Sequence, residues 1–482
     1  MKVLLVNPKF SGFEFSNHTA CIPIGIAYIG SYLKEKGIDV KIIDYLTDSK
    51  ADSHLAKEIV SSDMVGLSVM TTQIFHSLRL SEKIRAQDKD IPIIYGGVHP
   101  TLFPEQTILD DRVDFAVTDE GEKTMYELAT ALKKGKDISK IQGLVYKKSG
   151  KMKYAGRRPY LSVEEIPTLD WSLFDRDLLD KLKPIPLHTS RGCPHRCKFC
   201  INPITKCHWR GMSAKRVMED LDEALHIFKR KVVRFWDEDF FANPKRAREI
   251  IDQLIKQKVD IEWETTCRAD YLNKPMVDDK MLSLASKSGC YKLSFGAESG
   301  SQRILDMLTK DITTEDLVVS AKQCGKYGII SEYSFMIGLP GEEREDMNKT
   351  IDIISKLVAA NKKTEIIGPQ PFRPYPGSPL YEVCEKSGWK GPSTLNEWAE
   401  KMEYEWNYLS PREFPWVKDP DFVESIWPFL NYALTPSSRL LDSGVMTNKL
   451  LKSLFIIASK VRWQFKFFDF PLEYKIGRMV MK

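Results

Sequence analysis

The sequence lacks the features that mark membrane, secreted and nucleic-acid-binding proteins. No stretch of about eighteen uncharged apolar residues occurs, so no membrane-spanning helix is predicted. The N-terminus, MKVLLVNPKF, has no charged region followed by an apolar run and a small-residue cleavage site, and we therefore expect a cytoplasmic protein. The net charge is only +5 over 482 residues, and no basic cluster interleaved with aromatics lies on one predicted element, so nucleic acid is not an expected partner.

The cysteines do not form a disulfide framework. There are nine, an odd number, and three of them, Cys193, Cys197 and Cys200, fall within eight residues. Such clustering is typical of metal ligation in a reducing compartment. Five further cysteines are isolated along the chain and are predicted to be small apolar filler residues, namely Cys207, Cys267, Cys290, Cys324 and Cys384.

Composition and periodicity predict a globular α/β protein with more than one domain. Hydrophobic residues make up 43% of the chain and charged residues 28%. Over residues 1–140, short apolar runs such as KVLLVN and MVGLSV alternate with amphipathic segments. This pattern predicts five strands buried on both faces of a parallel sheet, in a doubly wound, flavodoxin-like domain.

The rest of the chain is predicted to hold a linker, a barrel and a cap. Residues 141–186 contain a predicted hairpin closed on Ser149 and Gly150, and then a proline-punctuated linker. Residues 187–385 carry the strand candidates PLHTS, VVRFWD, IEWETT, YKLSFGA, SEYSFMIG and EIIGPQPF, which predict a partial (β/α)6 barrel of the TIM type. Residues 386–482 are predicted to form an α-rich cap with a basic amphipathic tail.

The segment HTSRGCPHRCKFC carries the most specific signal in the chain. It places Cys193, Cys197 and Cys200 at the spacing C-x3-C-x2-C directly after a predicted strand. Three thiolates so spaced can bind one face of an iron–sulfur cubane and leave the fourth iron without a protein ligand. A structural zinc site is the alternative, in which Cys207 or His208 would supply the fourth ligand.

This arrangement resembles the radical S-adenosylmethionine (SAM) superfamily, in which an aromatic residue, here Phe199, precedes the last cysteine. Further landmarks follow the later strands in order: RFWDEDFF, CRAD, SFGAESGS and FMIGLPGE. The resemblance implies a [4Fe-4S] cluster on Cys193, Cys197 and Cys200, with SAM chelating the open iron and being cleaved to a 5′-deoxyadenosyl radical. His195, which lies between two of these ligands, is predicted to be a solvated loop residue that shields the cluster.

The same resemblance implies a set of SAM contacts in addition to Phe199. Arg268 resembles the cationic partner of the SAM carboxylate, and Glu298 with Ser299 resembles an acceptor for its hydroxyl and amino groups. Asp237 lies where the family contacts the methionyl amine, and Ile337 in FMIGLPG is expected beside the adenine. For the charged residues, an ion pair at the barrel rim is the alternative.

The first domain resembles the cobalamin-binding domain of class B radical SAM enzymes, through the PIGIAYIGSYL helix, the GGVHP turn and the EGE after the fifth strand. Such sheets bind ligands outside the carboxyl ends of their strands. No Asp-x-His-x-x-Gly motif follows the first strand, so a cobalt-ligating histidine is not expected and His54 is predicted to be a surface residue. A flavodoxin-like domain that has lost its ligand is the alternative. The predicted cobalamin-binding residues are Asn7, Ser68, Met70, Thr71, Thr72, Gln73, Gly96, Gly97, Val98, His99, Pro100, Glu120 and Gly121.

The tail from Lys449 onward combines cationic with large apolar side chains. It holds eight Lys or Arg against two Asp or Glu. Such a segment is typical of peripheral contact with an anionic membrane surface, and a terminal helix packed on the barrel with a basic outer face is the alternative. Earlier aromatic residues are predicted to line a cap over the barrel mouth, namely Trp398, Trp406, Tyr408, Trp416 and Trp427.

Taken as a class B radical SAM enzyme, the chain is expected to use a [4Fe-4S] cluster, SAM and cobalamin. The resemblance implies methyl transfer to an unactivated carbon of an apolar or natural-product-like small molecule, with an external flavodoxin or ferredoxin as electron donor. One alternative is a cobalamin-dependent cyclase or ring rearrangement, as in anaerobic bacteriochlorophyll biosynthesis. Another is a non-catalytic module that senses cobalamin or redox state.

Overall fold

The computed structural model describes residues 1–10, 22–182, 184–274, 276–374, 376–403, 410–434 and 449–468. The chain divides into two compact units. The first comprises Met1–Gly192, Thr205–Trp236 and Lys390–Tyr408, and the second comprises Cys193–Ile204, Asp237–Trp389 and Leu409–Lys482.

A mixed sheet forms the centre of the first unit. Its strands are β1 (Lys2–Asn7), β2 (Asp39–Asp44), β3 (Met64–Ser68), β4 (Ile93–Gly96), β5 (Phe115–Val117), β6 (Leu144–Lys148) and β7 (Lys151–Tyr154). Within the described residues the strand order is β2-β1-β3-β4-β5-β6-β7, and β1 to β5 are parallel. This confirms the predicted doubly wound order, with its switch point between β1 and β3.

The predicted hairpin is part of this sheet. Strands β6 and β7 pair in antiparallel fashion, and β6 also pairs with β5, so the hairpin extends the parallel sheet at that edge. Ser149 and Gly150 close the turn with φ of 51° and 72°. Two successive positive φ values give the twist that a tight hairpin requires.

The helices follow in chain order. They are α1 (Ile24–Glu35), α2 (Ala51–Ile59), α3 (Ile74–Gln87), α4 (Val98–Leu102), α5 (Pro104–Leu109), α6 (Glu122–Lys134), α7 (Arg176–Leu179), α8 (Asn202–Thr205), α9 (Ala214–Ile227), α10 (Pro244–Lys256), α11 (Asp270–Asn273), α12 (Asp279–Lys287), α13 (Gln302–Met307), α14 (Thr314–Lys326), α15 (Arg344–Ala360), α16 (Pro379–Lys386), α17 (Leu395–Glu403), α18 (Pro420–Leu434) and α19 (Lys449–Phe465).

Helices cover both faces of the first sheet and create two cores. Alternate residues of β1 enter different cores, Leu4 and Val6 on one face and Val3 and Leu5 on the other. The core around Leu4 also contains Trp398 of α17, which is distant in sequence. The C-terminal region therefore returns to complete the first unit.

The parallel strands of the second α/β series match the predicted segments. Strands β8 (Ile185–Leu187) and β11 (Val232–Phe235) pair in parallel within the first unit, where the short strands β9 (Ser190–Arg191) and β10 (Arg210–Gly211) also pair. In the second unit β12 (Glu262–Thr266), β13 (Cys290–Glu298), β14 (Ile330–Ile337) and β15 (Glu365–Pro371) are parallel, and each pairs with the next. These strands alternate with helices, as expected of a partial barrel.

Helix α19, at the end of the described chain, has two different faces. Trp463 is buried and its Nε1 donates to the Ser355 hydroxyl of α15 at 2.9 Å. The opposite face exposes apolar side chains, of which Phe465 is 71% exposed. None of the described helices is long and apolar enough to cross a bilayer. The tail beyond Phe468, together with Trp406 and Tyr408, lies outside the described residues.

Trp398 provides a test of how far the returning helix α17 stabilises the first unit. Its ring is 1% exposed, lies 5.6 Å from the Phe103 ring, and its Nε1 donates to Gln106 Oε1 at 3.2 Å. Replacement of Trp398 by Ala is expected to lower the free energy of unfolding by about 3–5 kcal/mol, since it leaves a large cavity. Urea unfolding followed by circular dichroism measures this loss. Trp398→Phe should lose less, and an unchanged midpoint for the Ala variant would contradict the expectation.

Candidate active site

The cysteines of the C-x3-C-x2-C motif lie together in one loop of the second unit. The Cys200 amide donates to the Cys197 carbonyl at 3.0 Å, and the Asn202 amide donates to Sγ of Cys200 at 3.5 Å. Cys197 is buried, whereas Cys193 and Cys200 are partly exposed. Burial raises the pKa of Cys193 to about 12 and also raises that of Cys200, so a bound metal is needed to hold these groups as thiolates.

His195 is anchored by two side chains next to this loop. Its Nε2 lies 2.8 Å from the Tyr271 hydroxyl and 3.2 Å from Oδ2 of Asp239, and the Tyr271 hydroxyl donates to the same Oδ2 at 2.8 Å. The His195 side chain is only 22% exposed. The prediction of a solvated loop residue is therefore wrong, because the triangle with Tyr271 and Asp239 fixes the ring and the loop that carries it.

Within the described residues, neither of the fourth ligands predicted for the zinc alternative joins the cysteine motif. There, the group of three metal-capable side chains whose ligand atoms all lie within 4.8 Å of one another is Cys193, His195 and Asp239, and neither Cys207 nor His208 belongs to such a group. Sγ of Cys207 instead accepts a hydrogen bond from Arg210. The three thiols of the cysteine motif lie in this loop without Cys207 or His208, and they fit a cluster with one open iron.

Arg268 and Glu298 both have partners within the second unit. Arg268 donates through Nε to Asp270 Oδ1 at 3.0 Å and through Nη2 to the carbonyls of Lys310 and Asp311 at 2.7 and 3.2 Å. Glu298 ends β13 after a bulge and accepts from Lys310 Nζ at 2.8 Å. Both residues thus take part in ion pairs, as the alternative to SAM binding predicted, and their contacts with SAM stay predictions.

The remaining predicted SAM contacts differ in exposure. Asp237 is 2% exposed, and its carbonyl accepts from the Thr266 hydroxyl at 2.6 Å. Ser299 and Ile337 have no exposed surface at all, so their predicted contact with SAM requires their neighbours to move. The Phe199 ring lies beside the ammonium of Lys310, 5.7 Å from its centroid.

Sequence patterns did not indicate the position of Lys310 or the contact that Trp416 makes. Lys310 lies outside all of the landmark motifs, and its Nζ donates to Glu298 in the SFGAESGS landmark. Trp416 was predicted only as one of the aromatic residues that line a cap, and no hydrogen-bond partner was predicted for it. Its Nε1 donates to the carbonyl of Gly338 at 2.9 Å, within the FMIGLPGE landmark.

The predicted cobalamin rim in the first unit has a buried support. Asn7 is the last residue of β1, and Gln73 follows β3, at the switch point of the sheet. Asn7 Nδ2 donates to Asp44 Oδ1 at 2.7 Å, and Gln73 Nε2 donates to Asn7 Oδ1 at 3.0 Å and to the Pro8 carbonyl at 2.8 Å. Because their side-chain amides form hydrogen bonds within the domain, these two residues support the rim through internal contacts.

Other residues of the predicted rim present accessible surface. Met70 is 41% exposed, and Ser68, Thr72 and Gly96 are partly exposed. Gly97 has φ of 104°, and a Cβ there would lie 3.2 Å from the backbone N and O of Val69. Only glycine suits this position, and the bare backbone permits close approach of a large ligand.

His99 lies beneath this rim. Its ring is fully buried, 5.7 Å from the Trp398 ring, and Nδ1 is 3.2 Å from the Thr71 hydroxyl. Burial lowers the pKa of His99 to about 3, so the ring is neutral. Nε2 is also buried and has no hydrogen-bond partner among the described residues. A ligand outside the domain cannot reach this nitrogen while the ring stays in place.

Glu120 and Gly121, the last residues of the predicted rim, are built into an internal network. Glu120 accepts from Arg210 Nη2 at 2.5 Å and pairs with Arg191 at 3.2 Å. Gly121 is buried, and a Cβ there would lie 2.8 Å from Cδ1 of Ile29. Their predicted contact with cobalamin stays a prediction.

Comparison with known proteins bears on both regions. The B12 binding domain family matches residues 18–129, and the Radical SAM superfamily matches residues 187–354. An uncharacterized methyltransferase of Pyrococcus horikoshii is 34% identical over 393 residues, which cover 80% of this chain and 83% of that protein.

The chain belongs to the cobalamin-dependent radical SAM enzymes.

Other relatives of this cobalamin-dependent radical SAM enzyme have named activities. The anaerobic magnesium-protoporphyrin IX monomethyl ester cyclase of Rubrivivax gelatinosus is 26% identical, with 88% of this chain and 74% of that protein covered. The cytidylyl-2-hydroxyethylphosphonate methyltransferase of Streptomyces wedmorensis is 23% identical, with 81% of this chain and 83% of that protein covered.

Solved structures confirm the fold. The radical SAM methyltransferase TsrM of Kitasatospora setae, solved with cobalamin and a [4Fe-4S] cluster, has a TM-score of 0.67 at 17% identity and covers 82% of this chain and 80% of its own. The cobalamin-dependent enzyme OxsB, solved with aqua-cobalamin and SAM, has a TM-score of 0.66 at 24% identity and covers 83% of this chain and 56% of its own.

The residues of this cobalamin-dependent radical SAM enzyme fit its family's cofactors. The cluster loop offers three thiols, and the glycine-containing rim at the β3 and β4 ends offers accessible backbone and hydroxyl groups. Because the imidazole of His99 is inaccessible, the rim offers a cobalt atom no nitrogen ligand from this residue.

This burial leads to a prediction about cob(II)alamin bound to the enzyme. Replacing His99 by Phe is expected to leave the axial features of its EPR spectrum unchanged, since the imidazole does not reach the cobalt. His54, whose Nδ1 is 2.6 Å from Asp48 Oδ2, serves as the control position, and His54→Ala should behave alike. Nitrogen hyperfine structure that is present in the wild type and lost only in His99→Phe would show the ligand assignment to be wrong.

Proposed function

We propose that this enzyme transfers a methyl group from SAM to an unactivated carbon of an apolar or natural-product-like small molecule. The main support is the presence in one chain of a loop with three thiols at the C-x3-C-x2-C spacing and a glycine-walled cobalamin-type rim. When bound, the cluster supplies the electron that cleaves SAM, and cobalamin carries the methyl group. The protein's own residues bind, orient and exclude water.

In the second unit these residues act around the cluster loop. Cys193, Cys197 and Cys200 hold the cluster through their thiolates. The carboxylates of Asp237 and Glu298 accept hydrogen bonds from the polar groups of SAM, and Phe199 packs beside it. Arg268 supplies a cationic environment for the SAM carboxylate. The loop keeps its shape because the His195 ring is anchored on Tyr271 and Asp239.

In the first unit the rim orients cobalamin without a ligand from His99. The hydroxyl groups of Ser68 and Thr72 donate and accept hydrogen bonds at the ligand's edge, and the backbone at Gly97 lets it approach closely. Met70 offers an exposed apolar surface. Gln73 and Asn7 hold this edge in place from within the domain.

A second candidate reaction is ring formation without net methyl transfer. It is favoured by the similarity to the cyclase of Rubrivivax gelatinosus, which extends over 88% of this chain. Both reactions consume SAM and require the same cluster. They differ in whether the methyl group of SAM appears in the product.

The first test is anaerobic reconstitution with iron, sulfide and cobalamin, followed by incubation with methyl-labelled SAM, a low-potential flavodoxin or ferredoxin as the proposed electron donor, and a cell extract. We expect 5′-deoxyadenosine and a product that carries the label, because the cluster loop and the rim serve one reaction. Cys197→Ala should lose iron, sulfide and SAM cleavage together, whereas Cys384→Ala, which changes a buried cysteine outside the motif, should retain all three.

The outcomes of this test separate the candidate functions. A new product without label favours ring formation. Zinc in place of iron, or full SAM cleavage by Cys197→Ala, contradicts the cluster assignment. A loaded enzyme that binds cobalamin but never consumes SAM indicates a sensing module.

We also propose that α19 rests on an anionic membrane surface. Leu454, Ile457, Val461 and Phe465 are 54%, 59%, 51% and 71% exposed, and their spacing places them along one face of the helix. Exposed apolar side chains in such a stripe, with the exposed Lys460 next to them, suit insertion at the boundary of lipid headgroups and acyl chains. An apolar substrate stored in the membrane would be within reach of the enzyme.

Liposome sedimentation tests this surface. The intact enzyme is expected to sediment with phosphatidylglycerol vesicles at low salt and less at high salt. Ile457→Ser, Val461→Ser and Phe465→Ser together should weaken binding at least about tenfold, because they remove most of the insertable apolar area. A matched control replaces three exposed apolar residues elsewhere, Val60, Leu109 and Val383, by Ser. Equal loss in the control, or no vesicle binding at low salt, contradicts the proposal.

A further inference from the structure

A buried ammonium group lies beside the cluster loop. Lys310 is only 9% exposed, and its Nζ donates to Glu298 Oε1 at 2.8 Å. The same Nζ lies 5.7 Å from the centroid of the Phe199 ring, in the segment between Cys197 and Cys200. A lysine is rarely buried to this degree unless it is paired.

The backbone around Lys310 is fixed in an uncommon conformation. Thr309 and Asp311, on either side of it, have φ of 51° and 56°, in the left-handed region. The Lys198 amide of the cluster loop donates to the Leu308 carbonyl at 2.9 Å, and Arg268 Nη2 donates to the carbonyls of Lys310 and Asp311. Strained residues flanking one side chain persist only where surrounding contacts determine them, and such strain is concentrated at functional sites.

The backbone of Glu298, the partner of Lys310, is also in the left-handed region. Glu298 has φ of 63°, which brings its carboxylate back over the bulge at the end of β13. The pair lies directly against Gly296, where a Cβ would approach Nζ to 2.7 Å. Burial opposes the charge of Lys310, but Glu298 and Cys197 outweigh it and raise the pKa of the lysine, which therefore stays charged.

We propose that Lys310 is a positioning residue of the cluster site, whose fixed positive charge holds the Glu298 carboxylate and raises the reduction potential of the cluster bound by Cys193, Cys197 and Cys200. The inference rests on the proposed function in so far as the loop must hold a cluster. One-electron reduction adds one negative charge to the cluster. A cation in a poorly hydrated site stabilises that added charge more than an exposed cation does.

Other cations of this region are less suited to the role. Arg196 has a side chain that is 78% exposed, so water and salt screen its charge. The Arg268 side chain pairs with Asp270, and its Nη2 donates to the carbonyls of Lys310 and Asp311, so this residue fixes the loop that carries Lys310. Lys310 differs from both because its ammonium group lies beside the Phe199 ring, next to Cys200. Hydrogen bonds also fix the backbone of the loop that carries it.

The test measures the cluster itself in the absence of SAM. Wild type, Lys310→Met, Lys310→Arg, Glu298→Gln and the double variants Lys310→Met/Glu298→Gln and Lys310→Arg/Glu298→Gln are reconstituted, and iron and sulfide are counted. The ratio of reduced to oxidised cluster is then followed by EPR during titration with dithionite. The two double variants form the decisive pair, because neither contains an unpaired buried carboxylate and because arginine, unlike lysine, keeps its positive charge without a partner.

At a fixed solution potential, we expect the ratio of reduced to oxidised cluster to be about tenfold lower in Lys310→Met/Glu298→Gln than in Lys310→Arg/Glu298→Gln, a change that corresponds to about 59 mV for a one-electron couple. Lys310→Met should also lower the ratio, Glu298→Gln should raise it, and Lys310→Arg should remain near the wild type. Equal ratios in the decisive pair at full iron and sulfide content would overturn the proposal. Absence of iron and sulfide from the wild type would instead refute the cluster assignment.

Discussion

Parallel strand pairing is the constraint on which both regions of chemistry depend. Parallel strands need crossover connections, so successive strands end at the same edge of a sheet and their C-terminal loops come together there. In the first unit this brings Asn7 and Gln73, which are 66 positions apart, into direct hydrogen bonding. In the second unit Glu298 ends β13, and its carboxylate accepts a hydrogen bond from Lys310 Nζ. The sites require this edge because only there do many loops approach one ligand.

The strands were predictable because burial on both faces leaves a strong local pattern. Short apolar runs such as MVGLSV and YKLSFGA mark β3 and β13, and Ser149 with Gly150 marks the hairpin turn. What the pattern omits is the partner of each element. Pairing of β6 with β5, and the return of Trp398 to the first core, depend on packing between segments distant in sequence. Local periodicity contains no information about such contacts.

The candidate site divides in the same way. Cysteine spacing is local, so the cluster loop was predictable from the sequence, whereas the anchoring of His195 by Tyr271 and Asp239 joins three separate segments. Landmark motifs also indicate a neighbourhood without indicating which side chains face a ligand. Ser299 lies next to Glu298 in sequence, but it is fully buried and its hydroxyl accepts a hydrogen bond from the Ser301 amide. The orientation of each side chain is decided by packing.

Buried charge is the other property that local patterns did not reveal. Replacing a buried ion pair by apolar residues is often neutral or stabilising, so such pairs do not need to be kept for stability alone. Lys310 pairs with Glu298 beside the cluster loop, and Arg191 pairs with Glu120, which is a residue of the predicted cobalamin rim. In both places low hydration strengthens the effect of a fixed charge on nearby groups. The burial of Lys310 with Glu298 is therefore consistent with the electrostatic role that we propose for this lysine at the cluster, rather than with a role in stability alone.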